Sequence, residues 1–150
     1  MTIAAALERE HRDIDGCVEA FLDDPAGTAD VLRTGLAALR RHIYLEEVFL
    51  FPPVRAAGLE MPVQVMLTEH GQIWRLMDRA AAALDADDPQ AAVPAVEEML
   101  DLLDRHNAKE EPVIYPHADT DLLPDQADQL DLFIGMGSMP ADWVCERARS

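Results

Sequence analysis

The sequence predicts an all-α fold: an up-down-up-down antiparallel four-helix bundle with a short fifth C-terminal helix and a tail. Three observations predict it. Apolar residues recur in alternating steps of three and four along four long stretches, the inward stripe of a bundle helix. Clusters of Pro, Gly and Asp punctuate the chain between those stretches. No window combines Val, Ile, Thr and aromatic residues in strict alternation, so no strand is expected.

The first helix is expected from about Thr2, an N-cap residue, to Leu22, where Asp23-Asp24-Pro25 ends it. Its stripe reads Leu7, His11, Ile14, Val18, Phe21. The second starts near Thr28 and reaches about Phe51, where Pro52-Pro53 interrupts it and a short turn leads to Gly58. Its stripe reads Leu32, Gly35, Leu39, His42, Glu46, Phe49. The third opens at Pro62, a residue suited to a first turn, and ends by Leu84, with Val63, Met66, His70, Ile73 and Met77 facing inward. The fourth begins between Pro89 and Pro94 and ends near Glu111, ahead of Pro112, with Val96, Met99, Leu103, His106 and Glu110 on its stripe. A fifth helix is expected over Pro124 to Ile134, stopped by Gly135. The tail from Ser138 to Ser150 adds one more turn or stays loose, and covers the bundle. Short connections make neighbouring helices antiparallel.

A chain of 150 residues buries a sufficient core without disulfides or a structural metal. A metal here is therefore functional rather than a folding staple. The net charge of −17, from 29 acidic and 12 basic residues, repels phosphate backbones and anionic lipid. Nucleic acid and membrane surfaces are thus excluded as partners, while cations are attracted. Cys17 and Cys145 form no CxxC and no disulfide framework, which fits reduced thiols in a cytoplasm. Met1 to Leu7 has no basic segment, and its apolar run breaks at Glu8-Arg9-Glu10, so no signal peptide is read there. No run approaches the ~20 apolar residues of a membrane span.

The sequence also repeats itself. His42-x-x-x-Glu46-Glu47 followed by Phe51-Pro52 matches His106-x-x-x-Glu110-Glu111 followed by Tyr115-Pro116. Glu10-His11 matches Glu69-His70. Each half supplies one lone His and one His-x-x-x-Glu, as two helical hairpins about a pseudo-two-fold axis would. Residues four apart share a helix face, so His42 with Glu46 and His106 with Glu110 converge on one point. Heights along the helices bring His11 and His70 to the same layer. Two carboxylates buried there, with no Lys or Arg on the stripes, demand a cation. The candidate metal ligands are therefore His11, His42, Glu46, His70, His106 and Glu110. Imidazole and carboxylate donors suit a pair of iron ions, with zinc or manganese as substitutes, and the lack of thiolate argues against copper(I) or iron–sulfur chemistry. His117 lies beyond Pro116 and reads as a surface residue.

These residues resemble the hemerythrin family in its broad form, the HHE cation-binding domains, over residues 3 to 118. The resemblance implies one hemerythrin-like domain across 1–150, with a bundle core at 3–118 and the C-terminal helix and tail at 119–150. It implies a non-haem di-iron centre bridged by an oxo or hydroxo group. By that analogy His11 and His42 bind one iron, His70 and His106 the other, and Glu46 and Glu110 bridge. Oxygen-carrying members have a further His where this chain has Trp74, which leaves positions for water, peroxide, nitric oxide or an added ligand from Glu10, Glu69, Tyr44 or Tyr115. Three functions follow: a binder or sensor of dioxygen, nitric oxide or a related small molecule; an enzyme acting on peroxide or in iron-centre repair and oxidative-stress defence; or an iron-responsive interaction module displaying its tail.

Overall fold

The computed structural model describes residues 1–149. In chain order it contains α1 (Ile3–Asp23), α2 (Ala29–Leu45), a π-helical turn (Glu46–Leu50), α3 (Phe51–Ala56), α4 (Glu60–Asp85), α5 (Pro89–Val113), α6 (Tyr115–Thr120), α7 (Pro124–Met136) and a 3-10 turn (Glu146–Ala148). The four long helices form the expected bundle. α1 packs on α2 and α5, and α4 packs on α5 and α2. Thr2 caps α1 through its hydroxyl, which accepts from the Ala5 N–H at 3.1 Å. Asp88 caps α5 in the same way, ahead of Pro89 in the first turn.

The prolines act differently from the sequence expectation. Pro52-Pro53 does not interrupt the second rod; it lies in the first turn of α3, which continues it. Prolines lack the N–H groups that the carbonyls of Val48 and Phe49 would otherwise bond. The helix instead widens into a π turn, in which the Phe51 N–H reaches back to the Glu46 carbonyl. Pro112 likewise sits inside the last turn of α5, which runs past the expected end at Glu111 to Val113. α4 opens at Glu60, two residues before Pro62, and α7 passes through Gly135 to Met136.

The tail folds back on the bundle rather than staying loose. Trp143 meets Tyr44 and Trp74 with ring centroids 5.0 and 5.6 Å apart. Cys145 is fully buried, and burial pushes its thiol up to about 12, so it packs as a small apolar side chain. Arg147 lies so close to α4 that a Cβ added at Gly71 would sit 2.8 Å from the Arg147 Cβ. Arg41 of α2 holds the end of α7, donating to the carbonyls of Phe133, Ile134 and Gly137.

The core consists of two apolar slabs. One contains Ile14, Val18, Phe21, Leu36, Ile73 and Leu103 among others; the other contains Leu7, Leu45, Phe51, Leu67, Ile114 and Tyr115. Each long helix crosses from one slab to the other through a single polar layer: Leu7 to Ile14 through His11 in α1, and Leu67 to Ile73 through His70 in α4. No helix among the described residues is long and apolar enough to cross a membrane.

Two glycines of the first hairpin test the packing. A Cβ at Gly35 would lie 2.7 Å from the Cys17 Cβ, so the close approach of α1 and α2 requires that glycine. A Cβ at Gly16 would meet nothing within 4 Å. Gly16→Ala should stabilise the chain by about 0.5–1 kcal/mol through helix propensity. Gly35→Ala should destabilise it by about 1–3 kcal/mol through overpacking. Urea denaturation of both variants checks the opposite signs.

Candidate metal centre

The polar layer brings all six candidate side chains together. His11, His42, His70 and His106 are at most 5 % exposed, and Glu46 and Glu110 are fully buried. Their donor atoms form two groups, His11–His42–Glu46–Glu110 and Glu46–His70–His106–Glu110, with the atoms of each group within 4.8 Å of one another. The carboxylates belong to both. Glu46 places one oxygen 3.2 Å from His42 Nε2 and the other 3.2 Å from His70 Nε2. Glu110 places Oε1 3.2 Å from His11 Nε2 and 3.5 Å from His106 Nε2.

Every imidazole is oriented from behind by a carboxylate. His11 Nδ1 donates to Glu111 at 2.8 Å and His42 Nδ1 to Glu10 at 2.9 Å. His70 Nδ1 donates to Glu47 at 2.8 Å and His106 Nδ1 to Glu69 at 2.9 Å. A proton held on Nδ1 in this way leaves the Nε2 lone pair of a neutral ring aimed at the centre of the bundle. The outer carboxylates are themselves held. Glu10 lies 3.6 Å from Arg41, Glu69 pairs with Lys109, and Glu47 accepts from the Glu146 N–H at 3.0 Å.

Electrostatics bind the layer together. Burial disfavours the charged rings, but the charges of Glu46 and Glu10 and their hydrogen bonds together outweigh it and push His42 up to about 10; Glu110, Glu69 and Glu46 together do the same for His106, also to about 10. Burial opposes ionisation of Glu46, yet His42 and His70 hold it well below its ordinary value. The Tyr115 phenol reaches into this layer, 2.7 Å from His11 Nε2, 3.0 Å from His42 Nε2 and 2.6 Å from Glu46 Oε2. Burial and the charges of Glu110 and Glu46 push the phenol well above 10.

The donor set fits a metal pair. Glu46 Oε1, His70 Nε2 and both Glu110 oxygens are buried without a hydrogen-bond partner. His70 Nε2 and Glu46 Oε1 are 3.2 Å apart without a well-directed hydrogen bond between them. Orphaned lone pairs that converge from three of the four rods are what a cation satisfies and a hydrogen-bond network does not. Beside them lies a cavity of ≈ 10 Å³, lined by the four His, Glu46, Asp15, Asn107 and apolar residues of both hairpins.

The sequence model of the hemerythrin HHE cation-binding domain matches residues 2–118. The chain belongs to this family. No curated protein and no solved structure matches it significantly. In this hemerythrin-like chain several residues differ from their sequence reading. Glu10 and Glu69 turn to ring Nδ1 atoms rather than to the centre, and Tyr44 packs among Phe49, Phe133 and Trp143. Trp74 does not line the cavity; Ile73 does, while the indole lies under Arg40 and against Trp143. His117 pairs with Asp121 at the surface. Sequence reasoning missed the orienting roles of Glu47 and Glu111, although the doubled Glu-Glu and Glu-His pairs carried the signal. It also missed Asp15, one turn beyond His11, and Asn107, beside His106.

Asp15 bears a testable cost. Its Oδ1 is buried without a partner, and burial together with the nearby Asp104 charge raises its carboxyl from 3.8 to about 6. The folded chain thus holds a proton that the unfolded chain has already lost, and stability falls as pH rises from about 4 to 6. Asp15→Asn should stabilise the metal-free chain at pH 7.5 by about 1–2 kcal/mol, a figure reduced for solvent screening of this half-buried group. The gain should vanish below pH 4. Melting curves of both chains across this range measure it.

Proposed function

We propose that this chain is a non-haem di-iron protein that binds or senses dioxygen, nitric oxide or a related small molecule at a carboxylate-bridged centre. The observation that carries this reading is that Glu46 and Glu110 each reach both His pairs, His11–His42 and His70–His106. In that reading the four Nε2 atoms and the two carboxylates hold the metals, with zinc or manganese as competitors for the same donors. Bound iron supplies redox chemistry and open coordination positions for a small ligand. The protein supplies the rest. The outer carboxylates fix the ring orientations, the two apolar slabs exclude bulk water, and the cavity of ≈ 10 Å³ among the donors is water-sized. Free Cys17 and Cys145 agree with a reducing, cytoplasmic setting.

Asp15 favours a second reading, an enzyme that consumes peroxide in oxidative-stress defence. Its carboxyl, raised to about 6, lines the cavity and can hold or release a proton there near neutral pH. Peroxide turnover that falls in Asp15→Ala, with iron content unchanged, would support it.

Protein produced in iron-rich medium should contain two irons per chain, measured by elemental analysis. Glu46→Ala should lose at least one, since one side chain serves both subsites. Full iron content in that variant would reject the bridging role, and a single well-held ion with the other histidines free would reject the two-metal reading.

Metal affinity should also rise with pH. Protonated His42 and His106 must surrender a proton to bind, and their folded-state values of about 10 lie above the ordinary 6.5. Their ion pairs stabilise the metal-free fold fully below about 6.5 and fade as pH climbs towards about 10. Between pH 6.5 and 8.5, each proton displaced should contribute about tenfold per pH unit to apparent affinity. Competition titration with a chelator of known pH dependence, using zinc, measures the slope.

A further inference from the structure

The two halves of the centre share their His, Glu and Pro motif positions and differ at the aromatic one. His42-x-x-x-Glu46-Glu47-x-x-x-Phe51-Pro52 is answered by His106-x-x-x-Glu110-Glu111-x-x-x-Tyr115-Pro116. The two rings pack alike. Phe51 stacks on His70 at 5.5 Å between centroids, and Tyr115 stacks on His11 at 5.3 Å. Both belong to the same apolar slab, and both are almost or wholly buried. They differ by one oxygen.

Packing alone does not need that oxygen, since Phe51 fills the equivalent place with a bare ring. Burying a hydroxyl is unfavourable unless it finds partners. The Tyr115 oxygen finds them only among the candidate ligands. It lies 2.7 Å from His11 Nε2, 3.0 Å from His42 Nε2 and 2.6 Å from Glu46 Oε2, three donor atoms of a single group. Its reach does not extend to the His70–His106 pair, where Phe51 offers nothing to a cation. A phenolate is a hard, anionic oxygen donor, and it would join two imidazoles and two carboxylates on one side of the centre only.

We propose that Tyr115 is a seventh protein ligand, its phenolate binding the ion held by His11 and His42 and making the two metal subsites chemically unlike. The proposal rests on the two-metal reading above. As the ion binds, the phenolic O–H bond gives way to an oxygen–metal bond and the proton is released to solvent; no electron is transferred. The His11–His42 subsite is then anionic and nearly filled, and it favours the trivalent ion. The His70–His106 subsite keeps the position at which an external small molecule binds.

The test uses the ferric, iron-loaded chain and reads its visible spectrum together with its iron content. Phenolate bound to ferric iron gives a visible charge-transfer band, and resonance Raman excitation within it enhances tyrosine ring modes. Tyr115→Phe should retain two irons and lose the band, while Tyr44→Phe should keep it. The chain has two tyrosines, so in the Tyr44→Phe background ring-deuterated tyrosine labels Tyr115 alone. An isotope shift of the enhanced modes there assigns the ligand even if Tyr115→Phe folds poorly. Two irons with identical spectra in the unmodified chain and Tyr115→Phe, or no tyrosine modes in the labelled chain, overturns the proposal. Iron content below two overturns the two-metal reading by its own readout. At that content a tyrosine-derived band still assigns the phenol to the remaining ion, and its absence rejects it.

Discussion

Two fully buried carboxylates, Glu46 and Glu110, set the terms for the rest of this molecule. An ionised carboxylate in a bundle core costs several kcal/mol unless positive charge and directed donors meet it. Four imidazoles surround the pair, and three of them, His42, His70 and His106, are drawn towards their protonated forms by it and by the outer carboxylates behind them. A metal pair would answer the same demand with more charge in less space. The apolar slabs above and below remove the solvent that would otherwise screen the carboxylates, so the packing and the polar layer depend on each other.

The second constraint is orientation, and it is met by neighbours in sequence. Successive helical residues are turned by about 100°. When His11 faces the centre, Glu10 faces the adjoining helix and meets His42; when His70 faces the centre, Glu69 meets His106. Glu47 and Glu111, following the two central carboxylates, close the ring on His70 and His11. Each Glu-His or Glu-Glu pair thus spends one residue on the centre and the next on a histidine from another helix. The result is a closed circuit in which each of the four histidines is oriented by a carboxylate from another helix.

The C-terminal segments attach to this circuit rather than merely covering the bundle. Arg41 grips the end of α7 and approaches Glu10, the partner of His42. The backbone of Glu146 donates to Glu47, the partner of His70. Trp143 packs beside Trp74, an indole that does not line the cavity. A resemblance based on position alone would set residue 74 at the centre; here the indole packs between Arg40 and the tail instead.

The fold class, the four rods, the pseudo-two-fold repeat and the six inward donors were legible in the sequence because helix periodicity converts spacing directly into facing. His42 with Glu46 and His106 with Glu110 needed nothing more than a turn of helix. The prolines were read too literally: Pro52 and Pro112 lie where a π turn or a last helical turn tolerates a missing N–H, and only the backbone path reveals that. The orienting carboxylates, the Tyr115 contact, the Asp15 and Asn107 edge of the cavity and the docking of the tail were decided by tertiary structure. Each depends on the distance between helices and their relative rotation, which is set by how the slabs of Leu, Ile, Val and Met side chains interlock. A one-dimensional pattern fixes which face of a helix looks inward, but not which residue of the next helix it meets.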